Sequence, residues 1–311
     1  MIMGFIDQMR AKGHAVESIC RVLRQEGCQI AARTYRAWRR RSASARDTSD
    51  AVLLNVLHDL VGTPEGLYGR RKMTAWLRRE GHQVGAGRVD RLMRVAGMNG
   101  VRRGRPVRTT VPAKDGCRAG DLLNRDFTAA APNTKWVADF TYVRTWAGLV
   151  YVAFVLDCYS QRILAWHAAT AKTTPLVLTP LRIALWDRDR HGHPVQPGEL
   201  IAHSDAGSQY TSLRFAEHLA AEGIAASIGT VADAYDNALM ECVIGLYKTE
   251  CITTTIFHNG PYKTIADVEY ATTGWVEWYN NRRLHSSLAM TTPAEYETAY
   301  YAALNRELAP T

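Results

Sequence analysis

Residues 136–169 read WVADFTYVRTWAGLVYVAFVLDCYSQRILAWHAA, and this stretch decides the fold class. Three runs of apolar, β-branched and aromatic residues, WVADFTYVRT, LVYVAFVLDCYS and RILAWHAA, are separated by short turns, the first of them at Gly148. Such runs are typical of β-strands, and short connections join antiparallel neighbours. The stretch therefore predicts a three-stranded antiparallel meander.

Helical and strand-like segments alternate after the meander. They are a helix from Pro175 to Arg188, strand ELIAHSD (199–205), helix SLRFAEHLAAEG (212–223), strand IAASIG (224–229), a helix containing DNALMECVIGLYK (236–248) and a helix DVEYATTGWVEWYNN (267–281). Three strands followed by alternating helices and strands predict an α/β fold: a mixed five-stranded sheet with helices on its faces.

Three acidic residues lie where a lone carboxylate is unfavourable. Asp139 interrupts an apolar strand, Asp205 ends another strand, and Glu241 lies in a largely apolar helix, with 35 residues between Asp205 and Glu241. A charge in an apolar segment costs several kcal/mol unless it is paired or bound to a metal. Hard cations such as Mg²⁺ take oxygen ligands. The triple therefore predicts a site for divalent cations.

Other ionisable residues are weaker candidates for that site. Asp157 also ends an apolar strand, but we interpret it as a residue that forms the following turn. Asp233 and Asp236 are better explained as N-cap or first-turn acids of a helix. Glu250 lies nine residues beyond Glu241 and is expected to point elsewhere, and His203 is expected to be structural.

The charge is unevenly distributed along the chain. The net charge is +8, but residues 1–110 hold 22 Lys and Arg against 9 Asp and Glu (+13), whereas residues 111–311 hold 16 against 21 (−5). A basic region on a mildly acidic body suggests a phosphate-binding arm joined to a metal-dependent catalytic domain. A solvated basic face explains the charge equally well.

The basic region contains a helix–turn–helix pattern. In LYGRRKMTAWLRREGHQVGAGRVDRLMRVAGMNG (67–100), two amphipathic segments flank a glycine-bearing turn. A second helix of this kind enters the major groove of DNA in many proteins, so Arg88, Arg91 and Arg94 would contact phosphates or bases. Arg102 and Arg103 continue the basic surface. An ordinary helical hairpin with solvent-facing arginines is the alternative.

These patterns divide the chain into five segments. They are an N-terminal helical segment (1–48), a helix-turn-helix-like DNA-binding domain (49–104), a linker (105–131), a catalytic core (132–252) and a C-terminal helical extension (253–311). We detect no internal repeats. Six scattered cysteines without a C-x-x-C pair predict reduced thiols, and no apolar run has the length of a membrane span.

Four ordered blocks carry a family resemblance. WVADFTY (136–142), HSDAGSQYTS (203–212), DNALMECVIGLYKTE (236–250) and YNNRRLHSSLAMTTPAEY (279–296) resemble the signature blocks of bacterial insertion-sequence transposases of the OrfB type. These belong to the DDE, retroviral-integrase-like group with a ribonuclease-H-like core. The resemblance implies a catalytic and metal-binding triad of Asp139, Asp205 and Glu241, a preceding helix-turn-helix domain, and a DNA-proximal basic residue at Lys248.

The resemblance also implies a reaction and its partners. Two Mg²⁺ or Mn²⁺ ions would support DNA strand cleavage by water and strand transfer by a DNA 3′-hydroxyl. The expected partners are the terminal repeats of the insertion sequence, target DNA, further copies of the chain on DNA, and the upstream-frame OrfA product. We expect a cytoplasmic, nucleoid-associated bacterial protein. Arg282, Arg283 and His285 are further candidates for DNA contact.

The alternatives are a ribonuclease-H-like DNA nuclease that does not join strands and a catalytically inactive DNA-binding regulator. The sequence also departs from the family pattern. Ala206 stands where Arg is common, and Cys242 stands where a hydroxyl residue is commoner. We expect the segment before residue 50 to lack the separate helix-turn-helix and leucine zipper that family members obtain from an upstream frame.

Overall fold

The protein forms two compact units. The computed structural model describes residues 2–102, 122–123, 126–205, 209–228 and 237–307. The first unit is Met1–Val56 and the second is Leu57–Thr311. Predictions made for Arg103, Ala206, Asp233 and Asp236 lie outside the described residues. The five-segment division of the chain stays a prediction.

The first unit is helical. It contains α1 (Ile2–Ala11), α2 (Val16–Gln25) and α3 (Ala32–Arg40), and α4 (Ala45–Asp59) continues into the second unit. The first three helices bury a small apolar core of Ile6, Ile19, Cys20, Ile30 and Tyr35. This unit therefore has its own hydrophobic interior.

The second unit begins with the predicted pair of helices. A 3-10 turn at Pro64–Leu67 precedes α5 (Arg70–Arg79) and α6 (Ala86–Val95). Both helices bury apolar side chains, which are Met73, Leu77, Val89, Leu92 and Met93. Gly81 has a positive φ of 88° between them, a conformation that glycine adopts without the steric cost of a side chain.

The part of the second unit from residue 126 onward contains the predicted mixed sheet. Its elements are β1 (Lys135–Thr145), β2 (Gly148–Asp157), β3 (Ile163–Ala169), α7 (Thr174–Arg190), β4 (Ile201–Ser204), α8 (Leu213–Ala221), β5 (Ala225–Ile228), α9 (Ala238–Leu246), a π-helix (Tyr247–Ile252), α10 (Ile265–Asn281), a 3-10 turn (Ser286–Leu288) and α11 (Pro293–Glu307). The strand order is β3-β2-β1-β4-β5. The β1–β2 and β2–β3 pairs are antiparallel, and the β1–β4 and β4–β5 pairs are parallel, which confirms the predicted fold class.

The two faces of the sheet bury different helices. Trp136 and Val155 pack with residues of α7 and α8, including Leu181 and Phe215. On the opposite face, the Phe154 ring lies 5.1 Å from that of Tyr247 and 6.2 Å from that of Trp275 of α10. Helices therefore cover both faces, as the alternating pattern predicts.

The helix pair also contacts the C-terminal helices of the same unit. The Tyr68 ring stacks on Trp278 at 6.0 Å, and the Tyr68 hydroxyl accepts a hydrogen bond from the Leu284 N–H at 3.0 Å. Trp278 Nε1 donates to Glu65 Oε1 at 3.0 Å. These buried contacts join residues that are more than 200 positions apart in the sequence.

Two other predictions concern the whole chain. Cys20, Cys28, Cys158, Cys242 and Cys251, the cysteines in the described ranges, are free thiols. Within the part of the chain that the structure describes, no helix is both long and apolar enough to cross a membrane.

Candidate active site

Asp139 lies in the middle of the central strand. It pairs with Phe154 of β2, and paired residues share a face of the sheet, so Asp139 faces the α9–α10 side. Its Oδ1 accepts a hydrogen bond from the Phe140 N–H at 2.7 Å. The side chain stays partly accessible although protein atoms surround it on most sides.

Strand register brings Asp205 next to Asp139. In the parallel β1–β4 pair, Ala138 lies opposite Ser204, so the following residues of the two strands are Asp139 and Asp205. Since neighbouring strands lie about 4.8 Å apart, Asp139 and Asp205 lie side by side where β4 ends. Asp205 follows directly after the last residue of β4.

Glu241 approaches from the helical layer. It lies in the first turn of α9, the helix that packs against β1. Burial and then the carboxylates of Asp205 and Glu241 raise the pKa of Asp139 well above its ordinary value, against the opposing effects of the Phe140 N–H and Lys248. Mutual repulsion of this kind requires proximity, so the fold gathers the three predicted acids at one place.

The donor chemistry of this place suits a hard divalent cation. Three carboxylates supply oxygen ligands, and a bound cation would relieve the repulsion that raises the pKa of Asp139. Among the described residues, however, no three His, Cys, Asp or Glu side chains are close enough to hold a metal ion.

Lys248 lies beside the acidic group, within the π-helix. Its Nζ is 5.2 Å from the centroid of the Tyr142 ring, and burial lowers the pKa of Lys248, although Asp139 acts to raise it. The Thr253 N–H donates to the Lys248 carbonyl at 2.9 Å, a five-residue step that belongs to the π-helix. The lysine is thus near Asp139, and its contact with DNA stays a prediction.

Two polar residues near the acids were not singled out from the sequence. Asn237 donates through Nδ2 to the carbonyl of Ala138 at 3.2 Å, directly before Asp139. Burial, with Asp139 and Asp205 nearby, raises the pKa of Tyr210 well above its ordinary value. Within the described residues, Asn237 Oδ1 and the Tyr210 hydroxyl are buried without a hydrogen-bond partner. Both residues lie in the blocks that carried the family resemblance, which was the available signal.

The weaker candidates have structural roles. Asp157 accepts hydrogen bonds from the N–H groups of Ser160 at 2.9 Å and Asn133 at 2.8 Å, so it forms the predicted turn. His203 is buried, and its Nδ1 lies 2.8 Å from the Ser227 hydroxyl. Glu250 is buried against α10 rather than beside Glu241.

The proposed DNA-contact residues differ in accessibility. Arg94 is exposed and forms an ion pair with Asp90 on the same helix, while Arg88 and Arg91 are half-buried. Arg102 is exposed. Arg282 is also exposed, 3.6 Å from the carboxylate of Glu277. These side chains remain candidates for contact with DNA phosphates.

Arg283 and His285 require a correction. Arg283 is 4% exposed and forms a two-pronged ion pair with Glu250, and His285 is equally buried, with Nε2 3.3 Å from the Tyr279 carbonyl. Burial, the charge of Arg283 and the charge of Lys72 hold the pKa of His285 well below its ordinary value. Neither side chain is presented to DNA, because both are buried inside the protein.

Comparison with known proteins places this geometry in a family. A family model described as Integrase core domain matches residues 129–234, a second Integrase core domain model matches residues 222–293, and a model described as HTH-like domain matches residues 52–106. The helix pair α5–α6 lies in the last of these ranges, and Asp139 and Asp205 lie in the first.

Curated relatives match over most of the chain. The putative transposase for insertion sequence element IS986/IS6110 of Mycobacterium tuberculosis (strain ATCC 25177 / H37Ra) is 44% identical over 280 residues, 90% of this chain and 99% of that protein. The transposase for insertion sequence element IS629 of Shigella sonnei is 44% identical over 264 residues, 85% of each.

Among solved structures, the HTLV-2 integrase catalytic core domain in complex with magnesium is similar with a TM-score of 0.40 and 16% identity, covering 54% of this chain and 98% of that one. The family assignment rests on the curated relatives and the matched domains. The chain therefore belongs to the insertion-sequence transposases with an integrase core domain, which are polynucleotidyl transferases of the DDE type.

Proposed function

We propose that Asp139, Asp205 and Glu241 form the catalytic centre of this transposase and bind two divalent cations, Mg²⁺ or Mn²⁺. The observation that carries the proposal is the β1–β4 register, which brings Asp205 beside Asp139, together with the packing of α9, the helix that contains Glu241, against β1. Three carboxylates in mutual repulsion on a central strand, its parallel neighbour and an adjacent helix are costly for stability. Cation binding would offset the repulsion among the three carboxylates, so their cost for stability is explained by a metal-binding role.

The proposed residues have different roles at the reacting phosphate. Asp139, Asp205 and Glu241 are the residues that would hold the cations. When bound, the cations would stabilise the attacking and leaving oxygens of an in-line displacement at phosphorus. Lys248, beside Asp139, is placed to attract the phosphate.

The same centre serves cleavage and joining. With water as the attacking group, displacement at phosphorus nicks the strand and leaves a 3′-hydroxyl. With that 3′-hydroxyl as the attacking group on target DNA, the displacement joins the strands and releases the target's own 3′-oxygen. Neither step requires a covalent bond to the protein, so one set of carboxylates supports both.

Basic residues around the proposed centre are candidates for binding DNA. We propose that Arg88, Arg91, Arg94, Arg102, Lys248 and Arg282 contact the terminal repeats or target DNA, and that the active assembly holds several copies of the chain on DNA. Arginine and lysine contacts to phosphate make such binding dependent on salt, because neutralised phosphates release counterions. The +13 charge of residues 1–110 is consistent with this role.

The test is a nicking and strand-transfer assay on labelled duplexes that carry the ends of the insertion sequence, with Mg²⁺ or Mn²⁺. Asp205→Asn and Glu241→Gln should each reduce both products by more than about 100-fold, beyond the loss typical of residues that only orient a metal ligand. DNA binding should persist in both variants. Glu217→Gln, a neutralised exposed carboxylate on α8, is the matched control and should be fully active.

A second substrate separates joining from cutting. A duplex with a pre-cleaved end and a free 3′-hydroxyl should yield a covalently joined product. Nicks without joined product in every condition would favour a nuclease, and binding without any metal-dependent chemistry would favour an inactive regulator. Full activity of Glu241→Gln would remove that residue from the centre.

A further inference from the structure

A short sequence recurs in the basic part of the chain. Residues 23–32, LRQEGCQIAA, recur as residues 77–86, LRREGHQVGA, with six identical positions at a constant offset of 54 residues (77 − 23). The prediction that the chain has no internal repeats is therefore wrong. The second copy lies inside the range matched by the HTH-like domain, whereas the first copy lies before that range.

The two copies have the same turn. Gly27 has a φ of 82° and Gly81 a φ of 88°. The Cys28 N–H donates to the Leu23 carbonyl at 2.8 Å, and the His82 N–H donates to the Leu77 carbonyl at 2.9 Å. In each copy the chain turns at a left-handed glycine that follows the first helix.

The second helix begins in the same way in both copies. The residue before α3 is Ala31, with φ −100° and ψ 148°, and the residue before α6 is Gly85, with φ −95° and ψ 150°. The segment before residue 50 therefore contains a helix pair, α2 and α3, that is joined by the same turn as α5 and α6.

Equivalent positions in the two copies are also buried. The buried pairs at the 54-residue offset are Ile19 with Met73, Cys20 with Thr74, Ile30 with Val84, and Tyr35 with Val89. In the first copy α1 completes the interior through Ile6, which is fully buried. A three-helix core thus holds α2 and α3 in a fixed arrangement.

The outer surface of α3 is strongly basic. Arg33, Arg36, Arg39 and Arg40 are all exposed within this nine-residue helix, which contains no acidic residue. Residues 1–41 as a whole hold nine Lys and Arg against three Asp and Glu. Arg33, Arg36 and Arg40 have the i, i+3, i+7 spacing of one helix face, so their positive charges lie together.

We propose that residues 2–41 are a second helix-turn-helix DNA-binding unit, in which α3 enters the major groove of duplex DNA. The guanidinium groups of Arg33 and Arg40 contact phosphates or guanine edges, and the preceding helix α2 lies across the backbone. The chain then reads duplex DNA at two separate places, through α3 and through α6. This inference does not depend on the identity of the catalytic residues.

The chemistry favours a nucleic acid over an acidic protein. The planar guanidinium group of arginine donates two parallel hydrogen bonds to phosphate or guanine. Four arginines within the nine residues of α3 place several such groups close together. The turn is the one used by a helix pair within an HTH-like domain range of the same chain. An acidic protein partner would leave DNA binding unchanged when the α3 arginines are removed.

The test measures binding of the full-length chain to a labelled 40-base-pair duplex taken from the end of the insertion sequence. The double variant Arg33→Gln/Arg40→Gln should bind about 10–100-fold more weakly. Its plot of log affinity against log salt should be shallower by about two, since two phosphate contacts are lost. In a hydroxyl-radical footprint it should lose one protected stretch that Arg91→Gln keeps.

The matched control is Lys12→Gln/Arg46→Gln, which removes the same formal charge from exposed positions just after α1 and on α4. It should keep the wild-type footprint and lose less than about threefold in affinity. Equal weakening by both double variants, with an unchanged footprint, would show general charge attraction and overturn the proposal. Wild-type binding by Arg33→Gln/Arg40→Gln would overturn it too.

Hydrogen exchange on the unmodified protein gives an independent result, should the variant fold poorly. Backbone amides of α3 should exchange more slowly when the duplex is bound. Unchanged exchange across α3, with slower exchange in α6, would contradict a second DNA-binding unit.

Discussion

Glu250 and Arg283 form an ion pair inside the protein, away from the proposed catalytic centre. Arg283 Nε lies 2.9 Å from Glu250 Oε2 and Nη2 lies 2.6 Å from Oε1, and both side chains are less than 10% exposed. Trp275 Nε1 also points to Glu250 Oε2, at 3.4 Å. The pair links the π-helix that follows α9 to the segment after α10, so its contribution is structural.

Arg283→Met should lower the free energy of unfolding by about 3–5 kcal/mol, because Glu250 is left as a buried, unpaired charge. The double variant Arg283→Met/Glu250→Gln should lose less than the single variant, since no buried charge remains. Urea denaturation measures both. Arg79→Met, which removes an exposed pair with Glu295, is the control and should cost less than about 1 kcal/mol. A double variant that loses the sum of both single changes would contradict this account.

Lys72 gives the stability a pH dependence. Burial, followed by the charge of Arg283, lowers the pKa of Lys72 to about 7, although Glu250 acts to raise it. In the unfolded chain the lysine keeps a pKa near 10.4. Between these values the unfolded state binds more protons, so stability rises with pH from about 7 to 10, and below pH 7 the full cost of the buried charge is present.

Lys72→Met should therefore stabilise the protein most at low pH. Relative to wild type, its gain in unfolding free energy should be largest at pH 6 and about half as large or smaller at pH 9. Urea denaturation at the two pH values measures the difference. If the gain in unfolding free energy caused by Lys72→Met is the same at pH 6 and pH 9, Lys72 titrates normally.

At the scale of elements, local pattern predicted most of the sheet. The runs around Asp139, Phe154 and Trp166 are rich in β-branched and aromatic residues and are joined by short turns, which specifies an antiparallel meander from adjacent sequence. The sequence also placed Asp205 at the end of a strand and Glu241 on a helix. The closeness of Asp205 to Asp139 depends on the parallel β1–β4 register, which pairs residues far apart in sequence. That register was not predicted, and the family resemblance implied only that the three acids act together.

The errors at this scale have a common physical cause. Arg283 and His285 stand in a polar stretch, YNNRRLHSS, whose neighbours along the chain give no sign of burial. Their partners, Glu250 and the carbonyl of Tyr279, become neighbours when α10 ends and the chain folds back on the π-helix. The repeat of the glycine turn has only six identities in ten residues, which is a weak signal in the sequence. The similarity becomes clear from the backbone, because Gly27 and Gly81 have nearly the same φ.

The glycine turn between α5 and α6 can be tested by substitution. Gly81→Ala should lower the free energy of unfolding by about 1–2 kcal/mol, because Gly81 has a φ of 88° and a side chain is strained there. Gly87→Ala should be neutral or raise it by up to about 1 kcal/mol, since Gly87 is helical and an added Cβ meets open space. Thermal and urea denaturation of both variants provide the measurement. Equal stabilities would show that the turn is not under conformational constraint.

At the scale of the whole molecule, the second unit joins the α5–α6 pair to the catalytic sheet and its helices. Tyr68 stacks on Trp278 and hydrogen bonds to the backbone near Leu284, and Glu65 accepts a hydrogen bond from Trp278. These side chains are buried, so the contact between the DNA-binding and catalytic parts of this unit is packed like an interior. The two parts should consequently unfold together.

Native-state hydrogen exchange distinguishes joint from independent unfolding. The slowest amides of α5 and α6 should exchange with the same opening free energy as those of β1 and β2, because opening the helix pair would expose Trp278 and leave Glu65 unpaired. Tyr68→Ala removes a stacked ring and two hydrogen bonds, and it should lower the α5–α6 opening energy well below that of the sheet. Tyr270→Ala, at an exposed aromatic position on α10, should leave the two energies equal. If the helix pair of the wild-type protein already opens far more readily than the sheet, the two parts are separate folding units despite their contact.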